Sequence, residues 1–527
     1  MRSHTTLGGL CDGAPLDRPA LVAGDRVIGF AALAAESRRL ARGLAALGIG
    51  RGDRVALWLP NLPEWVALYL ALARLGAVAV ALNTRFRSAE VGDILARAGC
   101  RALAFAPGFR GIDFPAILAA ADPAALDPLE TLILCGAQAA ERRALPPKRR
   151  VLYDDLAAAP PFEADRGMPE LGSVIFTTSG TTRAPKLVLH TQRSVLAHAC
   201  DVARDFALDG GAVLQSLPFC GVFGFSQAMA GLAAGATLVL QPAWDAEAAA
   251  GLLERWRITA LSGTDAMLAG LIECASEAVL ARIPFAGYAA FDPALGDIVE
   301  KAERRGLKLV GLYGMSEVQA LFARRHEGES LERRRLPGGR PVSPAAAVRV
   351  RDPDTGRLLG QGESGELEMR GPSLMREYFG DAAASRAALT EDGFVRTGDL
   401  GRLLDDGSFL FETRIGDVLR LSGFLVAPAE IEAQLQRHPS IDGAQVVGAS
   451  TGAGVKPVAF VTLRAGARFD EALLAAHCAA GLARYKVPSR IVALEAFPTT
   501  MSPNGLKIRK AELRERARAL LSGEARG

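Results

Sequence analysis

From Asp53 onward, the chain alternates short apolar runs with alanine-rich segments of helical length. The runs RVALWLP (residues 54–60) and GAVAVAL (residues 76–82) flank one such segment. Short apolar runs bounded by turns are typical of strands buried on both faces, and their alternation with helices favours mainly parallel sheets covered by helices. The sequence therefore predicts an α/β fold, with further strands at residues 102–106, 131–135, 173–177, 237–241 and 307–312 and helices at residues 31–47, 191–206 and 246–255.

The pattern of apolar and turn-forming residues changes twice towards the C-terminus. After about residue 340, short alternating segments and turn residues (RDPDTGRLLGQGESGELEMRG) predict a β-rich subdomain at about residues 340–415. A chain of 527 residues is too long for one typical core, so we predict an N-terminal domain at residues 1–415 and a small α+β C-terminal domain at residues 416–527. The predicted elements of the small domain are helices at residues 428–436, 469–482 and 511–523 and strands at residues 443–447 and 458–463.

Composition excludes several classes of function. With 61 basic and 58 acidic residues, the net charge of +3 is too balanced to indicate binding to nucleic acid or to an anionic membrane. The most membrane-like stretch, residues 65–82, is marginally long enough to span and carries Arg74, so we interpret it as a buried helix followed by a core strand. The seven cysteines show no metal-ligand spacing, and the N-terminus lacks the apolar core of a signal peptide. We expect a cytoplasmic enzyme.

The segment TTSGTTRAPKLVLHT (residues 177–191) is the most informative motif. Small hydroxyl residues around Gly180 let backbone N–H groups and hydroxyls converge on phosphate oxygens, and Lys186 adds positive charge. The segment does not match the GxxxxGK[ST] P-loop, which disfavours that class of nucleotide-binding enzymes. Taken alone, it is also compatible with an ordinary polar loop.

Three further motifs follow: GLYGMSE (residues 311–317), FVRTGDLG (residues 394–401) and a segment that begins ETRIGD (residues 412–432). Glu317, after a glycine turn, is suited to hold Mg²⁺, which prefers oxygen ligands. Asp399 is suited to vicinal ribose hydroxyls, and Arg414 to ribose or phosphate. Each motif alone is weak evidence, because an aspartate in a glycine turn is usually a turn former.

In this order, the motifs resemble the adenylate-forming (ANL) superfamily of acyl-CoA synthetases, luciferases and nonribosomal-peptide adenylation domains. The resemblance extends from residues 52–85 (GDRVALWLPNLPEWVALYLALARLGAVAVALNTR) to residues 504–513 (NGLKIRKAEL). It implies a large N-terminal domain, a small mobile C-terminal domain, and a reaction that uses ATP and Mg²⁺ to form an acyl-adenylate with release of pyrophosphate. In the acyl-CoA synthetases, coenzyme A then accepts the acyl group.

The resemblance also implies roles for individual residues. Lys507 matches the lysine that acts in adenylation, and Lys507, Glu317 and Thr182 are the implied catalytic residues, with Glu317 and Thr182 at the metal. The implied nucleotide and coenzyme A contacts are Thr178, Ser179, Gly180, Thr181, Thr182, Lys186, Tyr313, Gly314, Ser316, Asp399, Arg414, Ser422 and Gly423.

Several positions depart from the family pattern. Arg183 and Leu187 replace the two glycines of the usual TTGxPKG loop, and Gly416 stands at the family's hinge, where aspartate or lysine is common. The family usually has GK at the adenylation lysine, and this chain has GLK, with one extra residue before Lys507. Lys510 is therefore an alternative to Lys507. These departures are the support for a different hypothesis, a non-catalytic nucleotide-binding relative.

The segment LPFCGVFGFSQAMAGLAA (residues 217–234) resembles the family stretch that lines the acyl pocket and contains no charged residue. A buried, unpaired ammonium costs about several kcal/mol, so amino acids are disfavoured as substrates and a fatty or aryl acid is favoured. Phenylalanines here could equally fill the core. The implied pocket residues are Phe219, Gly221, Val222, Phe223, Gly311 and Met315, with Phe225 as a further candidate.

Coenzyme A is the favoured acceptor, because the sequence ends after the small domain without a carrier-protein domain. A stand-alone enzyme that loads a separate acyl carrier protein has the same sequence features, whereas a luciferase-like oxygenase has no specific support. The expected partners are therefore a carboxylic acid, ATP and coenzyme A, and the resemblance is compatible with a homodimer.

Overall fold

The structure is a computed structural model with a large N-terminal domain and a smaller C-terminal domain. It describes residues 6–12, 18–136, 145–178, 185–291, 295–421, 424–426, 428–451, 454–482, 484–502 and 505–523.

The first half of the large domain alternates strands with helices, as the apolar rhythm predicts. Its elements are β1 (Pro19–Ala23), β2 (Arg26–Gly29), α1 (Phe30–Ala46), β3 (Arg54–Trp58), α2 (Pro63–Leu75), β4 (Val78–Ala81), α3 (Ser88–Ala98), β5 (Cys100–Phe105), α4 (Phe114–Ala119), β6 (Thr131–Leu134), β7 (Arg149–Leu152), α5 (Tyr153–Ala157), β8 (Gly172–Thr177), β9 (Leu187–Thr191), α6 (Gln192–Asp205), β10 (Ala212–Gln215), α7 (Val222–Ala233), β11 (Thr237–Leu240) and α8 (Ala246–Arg255).

The second half of the large domain is richer in strands. Its elements are β12 (Ser262–Thr264), α9 (Asp265–Cys274), α10 (Glu277–Leu280), β13 (Ala286–Ala289), α11 (Ile298–Arg304), β14 (Leu309–Met315), β15 (Gln319–Arg324), α12 (Leu331–Arg334), β16 (Gly338–Pro341), β17 (Ala347–Arg351), β18 (Leu358–Leu359), β19 (Gly365–Arg370), β20 (Glu377–Tyr378), α13 (Ala382–Ala388), β21 (Val395–Leu403) and β22 (Phe409–Arg414).

The small domain mixes short strands with helices. Its elements are β23 (Leu419–Leu421), β24 (Phe424–Val426), α14 (Pro428–Gln436), β25 (Ile441–Thr451), β26 (Gly454–Leu463), α15 (Glu471–Gly481), β27 (Arg490–Ala493), β28 (Thr499–Ser502), β29 (Gly505–Ile508) and α16 (Lys510–Gly523).

The first sheet has the strand order β20-β9-β8-β4-β3-β5-β6-β7. The strands from β8 to β7 pair in parallel, while β9 and β20 are antiparallel. Parallel strands need a crossover, and helices α2 and α3 supply it along this part of the chain. The predicted α/β architecture is therefore confirmed here, with β3, β4, β5, β6 and β8 at the predicted strands.

Helix α2 explains the apolar stretch that contains Arg74. The helix is buried on nearly every side and leads into β4, as predicted for residues 65–82. The guanidinium of Arg74 is 3% exposed, lies 2.8 Å from Oδ1 of Asp12 and donates to Oγ of Ser37 at 3.0 Å. A buried charge is tolerated when it is paired and hydrogen-bonded. None of the described helices is both long enough and apolar enough to cross a membrane.

The strand-rich half forms one continuous ladder in the order β12-β13-β14-β15-β16-β22-β21-β19-β17-β18. The predicted β-rich region thus does not form a sheet of its own. Strand β15 folds back antiparallel on β14 and then pairs with β16, so the ladder passes without a break from the α/β part into the antiparallel part. A third sheet has the order β10-β11-β1-β2.

The small domain has a sheet with the order β25-β26-β27 and hairpins β23-β24 and β28-β29. Its last helix, α16, contacts the segment that follows β22. Arg514 donates to the carbonyl of Gly416 at 3.2 Å and pairs with the carboxylate of Asp417, while Nζ of Lys510 lies 3.8 Å from Asp417. The C-terminal helix therefore holds the connection between the two domains.

Candidate functional site

The predicted phosphate loop connects β8 to β9. The backbone N–H of Thr178 donates to the carbonyl of Lys186 at 3.0 Å, and the N–H of Lys186 donates to Oγ1 of Thr178 at 3.2 Å. These hydrogen bonds hold the two ends of the loop together. The intervening candidates Ser179, Gly180, Thr181, Thr182 and Arg183 lie outside the described residues.

Leu187 stands where the family usually has a glycine. It begins β9, its Cα pairs with Thr177, and its side chain is buried in the core beneath the sheet. Any L-residue adopts an extended strand conformation, so this position does not require the positive φ that favours glycine. The replacement is therefore accommodated by the strand.

A tyrosine joins the loop to the predicted metal ligand. Tyr378 lies on β20, which pairs with β9 and so brings this side chain beside Lys186, whose Nζ is 4.2 Å from the ring centre. Its hydroxyl donates to Oε1 of Glu317 at 2.7 Å. Burial, reinforced by the negative charge of Glu317, raises the pKa of Tyr378, so the hydroxyl keeps its proton and remains a donor. Glu317 itself is 7% exposed.

The turn between β14 and β15 sets the direction of Glu317. A Cβ on Gly314 would lie 2.6 Å from Cα of Ala320, so only glycine fits this close approach. Burial lowers the pKa of His190 to about 4, so the ring is neutral, and Nε2 donates to the carbonyl of Ser316 at 2.7 Å. Two non-glycine residues, Gln319 and Leu321, have φ of 64°. Left-handed backbone of this kind is strained and concentrates at functional sites.

The predicted ribose contacts meet across two paired strands. Asp399 on β21 lies directly opposite Arg414 on β22, and Nε of Arg414 is 2.9 Å from Oδ1 of Asp399. The hydroxyl of Tyr313 donates to the other oxygen, Oδ2, at 2.6 Å. The ring of Tyr313 packs edge-on against Phe409 with ring centres 5.1 Å apart. The structure thus brings together three residues that are up to about 100 positions apart.

The electrostatics of Asp399 are unusual. Burial raises the pKa of Asp399 to about 6, although the positive charge of Arg414 opposes that shift, and the charge of Glu317 adds to it. The carboxylates of Asp399 and Glu317 are therefore close enough to influence each other. Among the described residues, Oδ1 of Asp399 accepts no hydrogen bond, because the nearby guanidinium N–H is not aligned with it. Oδ1 is nonetheless held in an ion pair, 2.9 Å from Nε of Arg414.

The predicted acyl-pocket residues divide into two groups. Phe219 and Phe225 are fully buried and pack on the ring of Trp65, with ring centres 5.1 and 6.0 Å apart, so they belong to the core. The others surround the start of α7 or lie on β14. Gly221 caps α7, and Val222 and Phe223 form its first turn. Gly311 lies on β14, with the carbonyl of Leu336 only 2.4 Å from where its Cβ would be, and the sulfur of Met315 lies 3.8 Å from the hydroxyl oxygen of Tyr313.

A cavity of about 170 Å³ lies between the end of α6, helix α7 and strands β12 and β15. Most of its lining is apolar, but Asp205, Gln227, Thr259, Ser262 and Glu327 also line it. Two residues with left-handed backbone, Ala207 and Leu321, form part of its wall. The sequence analysis singled out none of these residues. For Gln227 the reason is that nearly every residue of α7 is buried, so no periodic signal shows which side chain faces a cavity.

The candidate residues of the small domain are only partly described. Lys507 lies on β29 opposite Thr500, and its side chain lies outside the described part of the chain, as do Ser422 and Gly423. The alternative lysine, Lys510, has its ammonium 3.8 Å from Asp417 and 3.9 Å from Glu432.

Two positioning residues of the nucleotide side were also missed. Tyr378 reaches the site because β20 pairs with β9 far along the chain, and it lies in none of the motifs that indicated the function. His190 lies on β9 within the motif at residues 177–191, but the motif gave it no role. An aromatic residue in the short segment MREYFGD was the one available signal, and it is weak.

Comparison with known proteins shows which family the chain belongs to. The sequence model of the AMP-binding enzyme family matches residues 11–379, and that of the AMP-binding enzyme C-terminal domain matches residues 430–503. The chain is 31% identical over 514 residues to a sulfoacetate–CoA ligase of Cupriavidus necator, with 94% of each chain covered.

Solved structures share the fold. Over 98% of this chain and all of the other, ATP-bound MatB from Rhodopseudomonas palustris superposes with a TM-score of 0.83 at 24% identity. The o-succinylbenzoate coenzyme A synthetase of Bacillus subtilis, in complex with AMP, superposes with a TM-score of 0.78 at 25% identity, covering 96% of this chain and 97% of that one.

The fold and the two family matches define an adenylate-forming enzyme with a large and a small domain. The chain belongs to the AMP-binding enzyme family, within its acyl-CoA synthetase group, and is an AMP-forming acyl-CoA ligase.

Proposed function

We propose that this enzyme uses ATP and Mg²⁺ to convert a fatty or aryl carboxylic acid into its acyl-adenylate, and then transfers the acyl group to coenzyme A. In the first step, a carboxylate oxygen attacks the α-phosphorus and pyrophosphate leaves. In the second, the coenzyme A sulfur attacks the acyl carbon and AMP leaves.

The observation that carries the proposal is the buried carboxylate of Asp399, held between Tyr313 and Arg414. The carboxylate is buried, one oxygen is occupied by Tyr313, and the other accepts no hydrogen bond from the described residues. A ribose presents two adjacent hydroxyl donors, which suit such an acceptor, and the exposed guanidinium of Arg414 beside it supplies donors for ribose or phosphate oxygens. The residues present therefore fit the nucleotide that the family binds.

Glu317 also fits a magnesium ion. It offers a buried carboxylate that Tyr378 orients, and the ammonium of Lys186 lies against the same tyrosine. In our proposal Glu317 and Thr182 would hold Mg²⁺, which supplies charge neutralisation as pyrophosphate departs. Tyr378 keeps Glu317 in one orientation, and Lys186 adds positive charge at the base of the loop.

We assign the adenylation lysine to Lys507 rather than Lys510. The ammonium of Lys510 is already near two carboxylates of the small domain and the connecting segment, Asp417 and Glu432. A lysine held in this way has a structural role, which supports Lys507 as the residue that acts on the substrate. Because Lys507 lies in the small domain, we further propose that this domain turns about Gly416 between the two steps.

The acceptor and the substrate class follow from two lines of support. The names of relatives as sulfoacetate–CoA ligase and o-succinylbenzoate coenzyme A synthetase support coenzyme A as the acceptor. The apolar character of α7, which carries no charged side chain, supports a fatty or aryl acid over an amino acid.

Pyrophosphate release with a panel of fatty, aryl and amino acids, measured with and without coenzyme A, tests the proposal. We expect release that depends on a fatty or aryl acid, and a thioester product when coenzyme A is added. Fastest release with an amino acid would contradict the substrate class, and acyl transfer only to an added acyl carrier protein would contradict the acceptor.

A further inference from the structure

A strained turn carries Glu317. Between β14 and β15, Gln319 and Leu321 both have φ of 64°, in the left-handed region that residues other than glycine rarely adopt. Backbone of this kind persists only where the surrounding structure holds it in place. The contacts that hold the turn therefore also fix the direction of the Glu317 carboxylate.

Helix α6 supplies two of these contacts. Nε2 of His198 donates to the carbonyl of Ala320 at 2.7 Å, and Nε2 of Gln319 donates to the carbonyl of Ser194 at 3.0 Å. His198, Gln319, Ala320 and Ser194 are all buried. In such surroundings water does not replace a lost partner, so these hydrogen bonds are costly to break.

His198 acts as a neutral donor. Burial lowers the pKa of His198 to about 4, although the carbonyl of Ala320 and the charge of Asp201 oppose that shift. At neutral pH the ring therefore carries one proton. Because a carbonyl can only accept, that proton lies on Nε2, and the hydrogen bond to Ala320 is formed.

Ala320 lies against the backbone that joins the two sides of the proposed nucleotide site. Its Cα is 2.6 Å from where a Cβ on Gly314 would lie, so the two backbones are in close contact. Gly314 follows Tyr313, whose hydroxyl donates to Asp399, and precedes Glu317 by three residues. Closely packed groups transmit a displacement rather than absorb it, so the position of Ala320 affects the direction of Glu317.

Helix α6 is also attached to the phosphate loop. It follows β9 directly, and β9 begins immediately after Lys186. Thr191 joins the strand to the helix, because its Oγ1 accepts from the N–H of Ser194 at 3.1 Å. His190 on β9 holds the carbonyl of Ser316 at the start of the turn. Strand β9 and helix α6 thus hold the turn at both ends and are continuous with the base of the phosphate loop.

We propose that His198 is a positioning residue for the metal site, whose hydrogen bond to Ala320 holds the strained turn so that Glu317 faces the phosphate loop. The inference rests on the proposed function and adds to it a residue that acts only through the backbone of the turn. Without this bond the two left-handed residues can relax, and Glu317 loses its fixed direction. Groups that orient a metal ligand typically affect the affinity for the metal.

Binding of Mn²⁺ measures this effect without turnover. Mn²⁺ takes oxygen ligands as Mg²⁺ does and is followed by electron paramagnetic resonance, while α,β-methylene-ATP fills the nucleotide site without releasing pyrophosphate. With this analogue bound, we expect His198→Met to raise the Kd for Mn²⁺ by roughly three- to tenfold, the range set by one hydrogen bond. A smaller folded fraction lowers the number of sites but not their affinity, so a general loss of stability does not produce this result.

His198→Gln is the matched rescue, because Nε2 of glutamine reaches about as far from the helix as Nε2 of histidine and also donates. We expect this variant to bind Mn²⁺ with wild-type affinity. Val195→Ala is the control, since Val195 is buried on the same helix and its apolar side chain makes no hydrogen bond to the turn. It should lower stability and leave the Kd for Mn²⁺ unchanged. If His198→Met does not fold, Gln319→Met, which removes the other bond to α6, carries the same expectation.

Hydrogen exchange of the metal-free enzyme follows the turn itself. The N–H of Val318 donates to the carbonyl of Met315, and the N–H of Met375 donates to the carbonyl of Glu317 at 2.7 Å. Both amides should exchange faster in His198→Met than in His198→Gln, because local opening of the turn exposes them.

The outcomes separate the inference from the function on which it rests. An affinity for Mn²⁺ that is unchanged in His198→Met, that is not restored in His198→Gln, or that falls equally in Val195→Ala overturns the inference and leaves the proposed function standing. Equal exchange of the two amides in the Met and Gln variants does the same. Absence of Mn²⁺ binding by the wild-type enzyme overturns the proposed metal role of Glu317 and the inference with it.

Discussion

Two arginine–carboxylate pairs in the large domain are built in opposite ways. In the pair on β21 and β22, the side chain of Asp399 is 3% exposed and that of Arg414 is 55% exposed. In the pair beside the cavity, the side chain of Arg324 is 8% exposed and that of Asp205 is 32% exposed. The same two chemical groups are present, with the buried and exposed partners exchanged.

This exchange decides which group remains available to a ligand. Arg324 uses its donors within the protein, so its pair presents carboxylate oxygens to the cavity. At Asp399, the buried carboxylate is held by Tyr313 and by the ion pair with Arg414, and the exposed Arg414 keeps donors for a ligand. We expect changes at the Asp399–Arg414 pair to affect every acid alike, because that pair belongs to the proposed nucleotide site.

The largest expected effect is that of Lys507→Ala. Removing a preorganised donor at developing charge costs roughly a hundred- to a thousandfold in rate, and the loss in acyl-adenylate formation should be similar for every acid. With prepared acyl-adenylate and coenzyme A, the variant should form thioester at close to the wild-type rate. Single-turnover assays of the two half-reactions measure this. The control is Lys510→Ala, and an adenylation defect in that variant alone would show that the lysine has been misassigned.

Asp399→Ala tests the buried carboxylate of the nucleotide side. Hydrogen bonds to charged groups contribute about 1.5–3 kcal/mol, so the Kd for ATP should rise by roughly ten- to a hundredfold, whichever acid is present. The matched variant is Asp205→Ala in the second arginine pair, which should leave the Kd for ATP unchanged. Equilibrium titration with ATP measures both. Equal weakening by the two variants would remove the distinction between the pairs.

The pKa of Asp399 predicts a pH dependence for nucleotide binding. Burial raises the pKa of Asp399 from 3.8 to about 6, so the carboxylate takes up a proton as the pH falls through about 6 and loses acceptor strength. Adenosine, which carries the ribose without a titrating phosphate, should therefore bind more weakly at pH 5 than at pH 7.5. Asp399→Asn should show no such dependence.

The same shift affects stability in the opposite direction. Because the folded pKa of Asp399 lies above its ordinary value, the folded chain binds the extra proton between about pH 4 and pH 6. The contribution of this residue to stability is therefore greatest below that window and falls as the pH rises through it. A stability difference between wild type and Asp399→Asn that is flat across the window would contradict the assigned pKa.

The smallest expected effect is that of Tyr378→Phe. The ring stays beside Lys186 and Glu317 itself remains, while one hydrogen bond to its carboxylate is lost. We expect kcat to fall by roughly three- to tenfold, since a typical hydrogen bond contributes about 0.5–1.5 kcal/mol net. A Mg²⁺ titration of the rate should show a higher Mg²⁺ requirement. Tyr288→Phe, which removes a hydroxyl bonded to the carbonyl of Arg335, is the control. A Mg²⁺ requirement equal to that of the control would disconnect Tyr378 from the metal.

The strands of the first sheet could be predicted because they are buried on both faces and therefore appear in the sequence as uninterrupted apolar runs. Asp399 and Arg414 could be predicted because their motifs keep a fixed order along the chain. That they face each other across β21 and β22 is a matter of register, which short glycine-containing segments do not reveal.

Other features depend on contacts between distant segments. Tyr378 reaches Glu317 through the pairing of β20 with β9, and neither strand indicates its partner in the sequence. In α7, where nearly every residue is buried, no periodicity distinguishes Phe225, which packs in the core, from Gln227, which lines the cavity. The continuity of the β-rich region with the preceding sheet was also not predicted, because it depends on the pairing of β15 with β14 and β16.

The contact between α16 and the segment at Gly416 links this helix to the proposed pivot of the small domain. If the small domain turns about Gly416, the guanidinium of Arg514 must either travel with Asp417 or release it in every catalytic cycle. Both side chains are about one-quarter exposed, so their attraction is only partly screened by solvent. In that case we expect the Arg514–Asp417 ion pair to affect how fast the enzyme passes between the two half-reactions, although Arg514 lies about 100 residues from the proposed pivot in the sequence.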